Sequence, residues 1–229
     1  MGHRVLAPVA LAVLAAVAHA GPGSGAAPAG RVVGKVAVTE ANGKAVANAE
    51  VIVYVVGGPA ESTEAGGTTA SIAQKDRRFV PELVAITVGE SVTFPNTDPF
   101  LHNVFSQSAA RPFDLGSFKK GDSKTKDFPK PGVVDVYCNI HPEMAATILV
   151  LPNRHHVKVG SDGTFVLDGV PPGKWQLFAY TRRAQKPAST PIVVEAGKDT
   201  EASLALARGA EPDHLNKYGE KYKDGGNYH

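Results

Sequence analysis

From Arg31 to Ala207 the apolar residues come in short alternating runs cut by glycine, proline and asparagine turns, and no stretch repeats them with the helical period. Such a pattern buries side chains on one face of each strand. The expected class is therefore all-β, with sheets packed face to face.

Val33, Lys35, Val36 and Val38 lead to a turn at Asn42-Gly43, and Val46, Ala49, Val51, Val53 and Val55 follow, which predicts two short strands around a hairpin. Gly57 to Ala70 reads as a flexible boundary. In the next block, residues 71–151, Val84, Ile86 and Val88 share a strand face, Gly89-Glu90 turns the chain, and Val92 and Phe94 resume the pattern. Pro129-Lys130-Pro131-Gly132 turns into Val133 to Cys138, and Ala145 to Leu151 supplies a final strand. From 155 to 207, Ser161-Asp162-Gly163, Pro171-Pro172-Gly173 and Ala196-Gly197-Lys198 are spaced like the turns of a sandwich. Residues 208–229 form a polar tail with Tyr218, Tyr222 and Tyr228 but no alternation, expected to extend or drape over the surface.

The N-terminus combines Arg4, an apolar run from Val5 to Val17 and the small-residue pattern Ala18-His19-Ala20. That is the layout of a signal peptide over residues 1–20, cleaved near Ala20, with a flexible linker over 21–30. The mature protein is expected to be periplasmic or otherwise secreted, without stable membrane insertion. Lysine plus arginine number 24 against 22 aspartate plus glutamate, a balance that does not suggest a nucleic-acid groove or an anionic membrane surface. Cys138 is the only cysteine, so no internal disulfide can form. A lone cysteine in an oxidising compartment is a buried thiol, an intermolecular link, a nucleophile or a metal ligand.

Its neighbours decide between these. In Tyr137-Cys138-Asn139-Ile140-His141-Pro142-Glu143-Met144 a thiol, an imidazole and a thioether recur at three-residue intervals, and His102 supplies a second imidazole at the start of another expected strand. Thiolate and imidazole bind both oxidation states of copper, and a weak axial thioether tunes the potential, whereas zinc more often recruits further cysteine or histidine. Val134, Val136 and Cys138 share strand parity, as do Met144, Ala146, Ile148 and Val150, so Cys138 and Met144 should face one core. No Ser-His-Asp, Cys-His-Asn or paired-carboxylate pattern competes as a hydrolytic site, and the chain is not expected to be an enzyme.

The Cys138-x-x-His141-x-x-Met144 loop, with His141-Pro142, resembles the ligand loop of amicyanins, and His102-Asn103-Val104 resembles the upstream cupredoxin ligand segment. Phe79-Val80-Pro81 through that loop is most similar to plastocyanin-type proteins often labelled methylamine-utilisation proteins. The resemblance implies a Greek-key cupredoxin sandwich over 71–151 and one type 1 copper held by His102, Cys138, His141 and Met144. It further implies that Asn103 ties the two ligand loops together, and that Tyr137 is an electron route. Leu101, where proline is common, and Glu143, in a loop that is usually apolar, depart from the family pattern.

Gly34-Lys35-Val36, Gly43, Ala49-Glu50-Val51, Asp162-Gly163-Thr164-Phe165 and Val170-Pro171-Pro172-Gly173 resemble a carboxypeptidase-regulatory-like, transthyretin-like sandwich. That implies a second, smaller β-sandwich built from 31–56 and 155–207, with the copper block inserted into one of its loops; the alternative is three sequential units, with the first hairpin belonging to the cupredoxin sheet. The expected function is single-electron carriage between redox protein partners by Cu(I)/Cu(II) cycling, the alternative being copper binding or delivery. His155-His156, His214 and His229 lack fixed spacing and read as exposed histidines. The runs at Lys119-Lys120, Lys124 and Lys126 and at Arg182-Arg183 and Lys186 read as solvated faces. Phe100, Leu101 and Pro142 are the expected apolar contact patch.

Overall fold

The computed structural model describes residues 28–59 and 69–222, so the signal peptide expected over 1–20 and most of the linker lie outside the described residues. The chain is all-β: the described residues hold seventeen strands and no helix.

Strands from both ends of the chain share one core. Gly30–Glu40 lies between Thr164–Val170, antiparallel to it, and Asp199–Arg208, parallel to it. The facing sheet runs in the order His156–Lys158, Val51–Gly57, Gly173–Thr181, Ala188–Val194. Val32, Val36, Val38, Val53, Val55, Phe165, Leu167, Trp175, Leu177 and Leu204 fill the space between the sheets. This geometry corrects the hairpin expected around Asn42-Gly43. The turn is present, with Gly43 at φ 82°, but Gly30–Glu40 and Val51–Gly57 lie in opposite sheets and only an isolated bridge joins Thr39 to Ala45. Residues Val46 to Glu50 carry the chain across, because each strand has one apolar face and the two faces must meet in the core rather than lie side by side.

Residues 69–151 form the other layered unit. Its larger sheet has the order Leu83–Thr87, Ala145–Leu151, Gly132–Tyr137, His102–Ser106, Phe113–Phe118, with the first pair parallel and the rest antiparallel. Opposite it stand Ser123–Asp127, Ser91–Pro95 and Thr69–Ser71, so Ala70 belongs to a strand rather than to the flexible boundary. Ile72, Phe79, Ile86, Val92, Phe94, Val104, Phe128, Val134, Val136 and Ile148 make a second core, to which Cys138 and Met144 belong.

Ala145–Leu151 is buried at every position. Alternation would leave one face wet; here Ala146, Ile148 and Val150 line the inner core while Leu149 and Leu151, with Leu83, meet Ile52 of the flanking sandwich. A continuous apolar run is what a strand covered on both faces requires. Glu50 reinforces this seam, its Oε2 accepting the amides of Glu82 and Leu83 at 3.0 Å each and its carbonyl accepting the Thr181 hydroxyl at 2.7 Å.

Candidate metal centre

Tyr137 pairs with Ala145 across the antiparallel strands, so residues 138–144 are a tight connection at one end of the sheet. Inside it the Cys138 amide donates to the Met144 carbonyl at 3.2 Å and the Met144 amide donates to the His141 carbonyl at 3.1 Å. Val134, Val136, Cys138 and Met144 are all fully buried in the same core, which is the consequence of their shared parity. His102 opens the adjacent strand His102–Ser106, and its ring is fully buried.

Three donor atoms converge there. His102 Nδ1 lies 3.0 Å from His141 Nδ1, and Cys138 Sγ lies 4.0 Å and 3.8 Å from those two nitrogens. The point equidistant from the three is about 2.1 Å from each, inside the ~2.0–2.3 Å range of metal–nitrogen and metal–sulfur bonds. Two imidazole nitrogens and one thiol at this spacing fit a soft, trigonally held ion. Among the described residues this is the one cluster of three or more such donors with metal-binding spacing.

Surrounding groups fix the His102 and Cys138 donors. Asp98 Oδ2 accepts from His102 Nε2 at 2.8 Å, which places that ring's proton on Nε2 and turns the Nδ1 lone pair towards the centre. The carboxylate is itself held by the Asp76 and Arg77 amides at 2.7 Å and 2.9 Å, from two successive residues with positive φ. Cys138 Sγ receives the amides of Asn103 and Ile140 at 3.5 Å and 3.4 Å. Asn103 spans the two ligand segments: its Oδ1 accepts the Asn139 amide at 3.3 Å, and its Nδ2 donates to Asp114 at 2.8 Å. Phe100 stands over both imidazoles, its ring 5.9 Å from His102 and 6.2 Å from His141, with the Arg77 guanidinium 5.0 Å from its own centroid.

The electrostatics follow from this enclosure. Burial pushes the Cys138 thiol up, so metal entry displaces a proton from it. Burial and the neighbouring His102 hold His141 below the usual histidine value, which keeps its nitrogen available as a lone-pair donor. Burial also raises the Asp98 carboxyl, but the hydrogen bonds from the Arg77 amide, His102 and the Asp76 amide outweigh it, and the net result lies below the usual carboxylate range. Asp98 is therefore an anion set directly behind the buried imidazole.

No family model matches the chain. Plastocyanin of Ulva pertusa is 30% identical over 91 residues, covering 36% of this chain and 88% of that protein. The chain belongs to the cupredoxin family. Plastocyanin of Ulva arasakii, 29% identical over 91 residues, covers the same shares. Among solved structures, a purple cupredoxin from Nitrosopumilus maritimus is 26% identical over 36% of this cupredoxin and 99% of its own chain, at a TM-score of 0.33. An amicyanin variant in the Cu(I) state is 19% identical over 43% and 98%, at a TM-score of 0.35.

The cupredoxin brings together His102, Cys138 and His141, with Met144 fully buried in the same core. Tyr137 is not open to solvent on its ring face: the imidazole of His214 stacks on it at 4.0 Å and 19°. Burial, followed by the charge of Asp135, pushes its hydroxyl up to about 12. Three histidines expected to be exposed are not. His155 is buried edge-on to Trp175 at 5.8 Å, His156 is half-buried at the start of its strand, and His214 is half-buried against the ligand loop, whereas His229 lies outside the described residues. Arg182 pairs with Glu211 and Arg183 with Glu40, so that run is engaged rather than free.

Asp98 was not among the residues the sequence singled out. Its position four residues before His102 in a turn-rich segment is a signal for it, since an aspartate there can fold back onto the ring. Asp114, Lys217 and Tyr222 carried no local signal; their importance comes from contacts far along the chain.

Proposed function

We propose that this protein is a periplasmic or otherwise exported one-electron carrier whose single copper is held by His102, Cys138, His141 and Met144, and that it is not an enzyme. The observation that carries the reading is the triangle of His102 Nδ1, His141 Nδ1 and Cys138 Sγ, with His102 and Cys138 fully buried and fixed from behind and His141 half-buried at the rim. Copper bound there supplies a Cu(I)/Cu(II) couple and thus one electron per cycle. The protein's part is to keep the donors still. Asn103, Asp98 and the amides on Sγ hold them, and a dry packed site changes charge with little solvent rearrangement. Copper delivery needs ligands that exchange readily, which a centre with His102, Cys138 and Met144 all fully buried does not favour.

The half-buried ligand His141 is the exit we assign to the electron. Phe100 and Leu101 beside it are 40% and 53% exposed, an apolar rim suited to brief contact with a redox protein partner. Residues 31–56 and 155–207 would be the carboxypeptidase-regulatory-like sandwich, carrying the copper unit as an insertion.

Voltammetry of the copper-loaded protein tests the reading through two variants. Reversible one-electron cycling is expected, and Asp98→Asn should raise the potential because removing a buried anion disfavours the more highly charged Cu(II). Each tenfold loss of preference for Cu(II) amounts to about 59 mV in a one-electron couple, and outer partners of metal ligands are typically worth ~10–100-fold in affinity. Met144→Leu should keep an intense visible thiolate-to-copper band and shift the potential. Irreversible cycling with copper passing freely to a chelator would favour delivery instead.

A further inference from the structure

The polar C-terminal segment does more than drape. Tyr222 Oη donates to the Cys138 carbonyl at 2.9 Å, the Lys217 amide donates to Asn139 Oδ1 at 3.0 Å, and His214 Nε2 donates to the Pro142 carbonyl at 2.7 Å. Three polar groups of one short segment thus fall within five consecutive residues of the ligand loop. Incidental packing of a tail would scatter such contacts over the sheet surface.

The contacts also close into a ring. Lys217 Nζ reaches Asp114 Oδ2 at 2.9 Å, Asp114 Oδ1 holds Asn103 Nδ2 at 2.8 Å, Asn103 Oδ1 accepts the Asn139 amide at 3.3 Å, and Asn139 Oδ1 returns to the Lys217 amide. Both ligand segments, the one at His102 and the one at Cys138, are therefore tied to the same strap. The strap is itself folded. Asn216, 1% exposed, accepts the amides of Tyr218 and Glu220 on its Oδ1 at 2.9 Å and 3.0 Å, and Gln107 binds the Asn216 and Lys217 carbonyls at 3.3 Å. Glu211 anchors its beginning through Arg182. His214, stacked on Tyr137 and edge-on to Tyr222 at 5.2 Å, fills the space between strap and loop.

We propose that residues 211–222 are a clamp on the metal-ligand loop, in which His214, Lys217 and Tyr222 are positioning residues that hold Cys138 and His141 at fixed spacing. A connection as short as 138–144 has few internal hydrogen bonds, so its opening is governed by what covers it. The clamp raises the cost of that opening, slows metal loss, and closes the Tyr137 face so that the His141 side is left for electron exit. The inference rests on the copper reading, yet the loop itself can be tested without metal.

The test compares the full mature chain with a chain ending at Ala210 and with Tyr222→Phe. In the metal-free proteins, amide exchange at Asn139, Ile140 and Met144 is expected to be at least tenfold faster in the truncated chain and several-fold faster in Tyr222→Phe, with Ile148 and Val150 unchanged. In the copper-loaded proteins, transfer to a chelator should accelerate in the same order, and the thiolate-to-copper band should move as the Cys138 geometry relaxes. Unchanged loop exchange in the truncated chain overturns the clamp. Should truncation also expose Ile148 and Val150, Tyr222→Phe decides: faster exchange confined to the loop supports the clamp, and wild-type exchange overturns it. A full-length chain that develops no thiolate band with copper defeats the copper reading, and the metal-free exchange data then still decide the clamp.

Discussion

Cys138→Ser should fold normally and lose copper affinity by far more than the ~10–100-fold typical of losing an outer partner of a metal ligand. Cys138 is fully buried and its sulfur receives the Asn103 and Ile140 amides. A serine hydroxyl is smaller, can accept from the same amides, and leaves the core around Val136 and Met144 in place. It carries no sulfur and stays a neutral alcohol at any ordinary pH, whereas thiolate is the donor that selects a soft ion. A competition titration of Cu(I) against a chelator, run beside a urea melt, separates the two quantities. The expected result is a near-unchanged midpoint with the affinity collapsed; retention of wild-type affinity would remove Cys138 from the ligand set.

Gly34→Ala carries the second large effect, and it falls on the other core. Gly34 sits mid-strand in Gly30–Glu40, opposite Ala202 on one side and Phe165 on the other. A Cβ there would stand 1.7 Å from the Ala202 carbonyl oxygen and 3.1 Å from the Phe165 ring, so the backbone of the parallel partner would have to move. Overpacking of this kind costs about 1–3 kcal/mol and occasionally more, and a clash with backbone belongs at the upper end. The expected outcome is a lower urea midpoint for the flanking sandwich, with the near-ultraviolet signal of Trp175, which belongs to that core, as the probe. The copper band should survive at denaturant concentrations where Trp175 has begun to report loss, because His102, Cys138 and Met144 belong to a different packed unit. Loss of both signals together at a lowered midpoint would instead mean that the Leu83–Leu149–Ile52 seam makes the two cores one cooperative unit.

The chemistry of the centre was legible in sequence because it is local. Cys138, His141 and Met144 lie within one connection, and strand parity puts Cys138 with Val136 and Met144 with Ala146, which pair across the two strands and share a face. Turn residues and alternation likewise gave the all-β class. What sequence could not supply depends on which strands meet. The run 31–40 and the run 51–57 have the alternation of hairpin partners, and an Asn-Gly turn between them, yet they face each other across a core. Alternation specifies an apolar face, not the sheet it joins. Ala145–Leu151 reads as a strand, but its double burial follows from the flanking sandwich packing against Leu149 and Leu151.

The same limit explains the missed residues. Asp98 acts by folding its carboxylate onto His102 Nε2, which neither composition nor spacing requires. Tyr222 and Cys138 are separated by 84 positions, and a polar segment without periodicity shows no face to pair. Side chains that act through one directed hydrogen bond leave little pattern, whereas donors that must share an ion are constrained in type and spacing at once.

The most direct measurement is the visible and electron paramagnetic resonance spectrum of the protein reconstituted with one equivalent of Cu(II). Ligation by the Cys138 thiolate with His102 and His141 predicts an intense thiolate-to-copper band in the visible region and one copper signal, both abolished by reduction and restored by reoxidation. A colourless protein that binds copper, or one whose spectrum is the same with Cys138 replaced, would contradict the account.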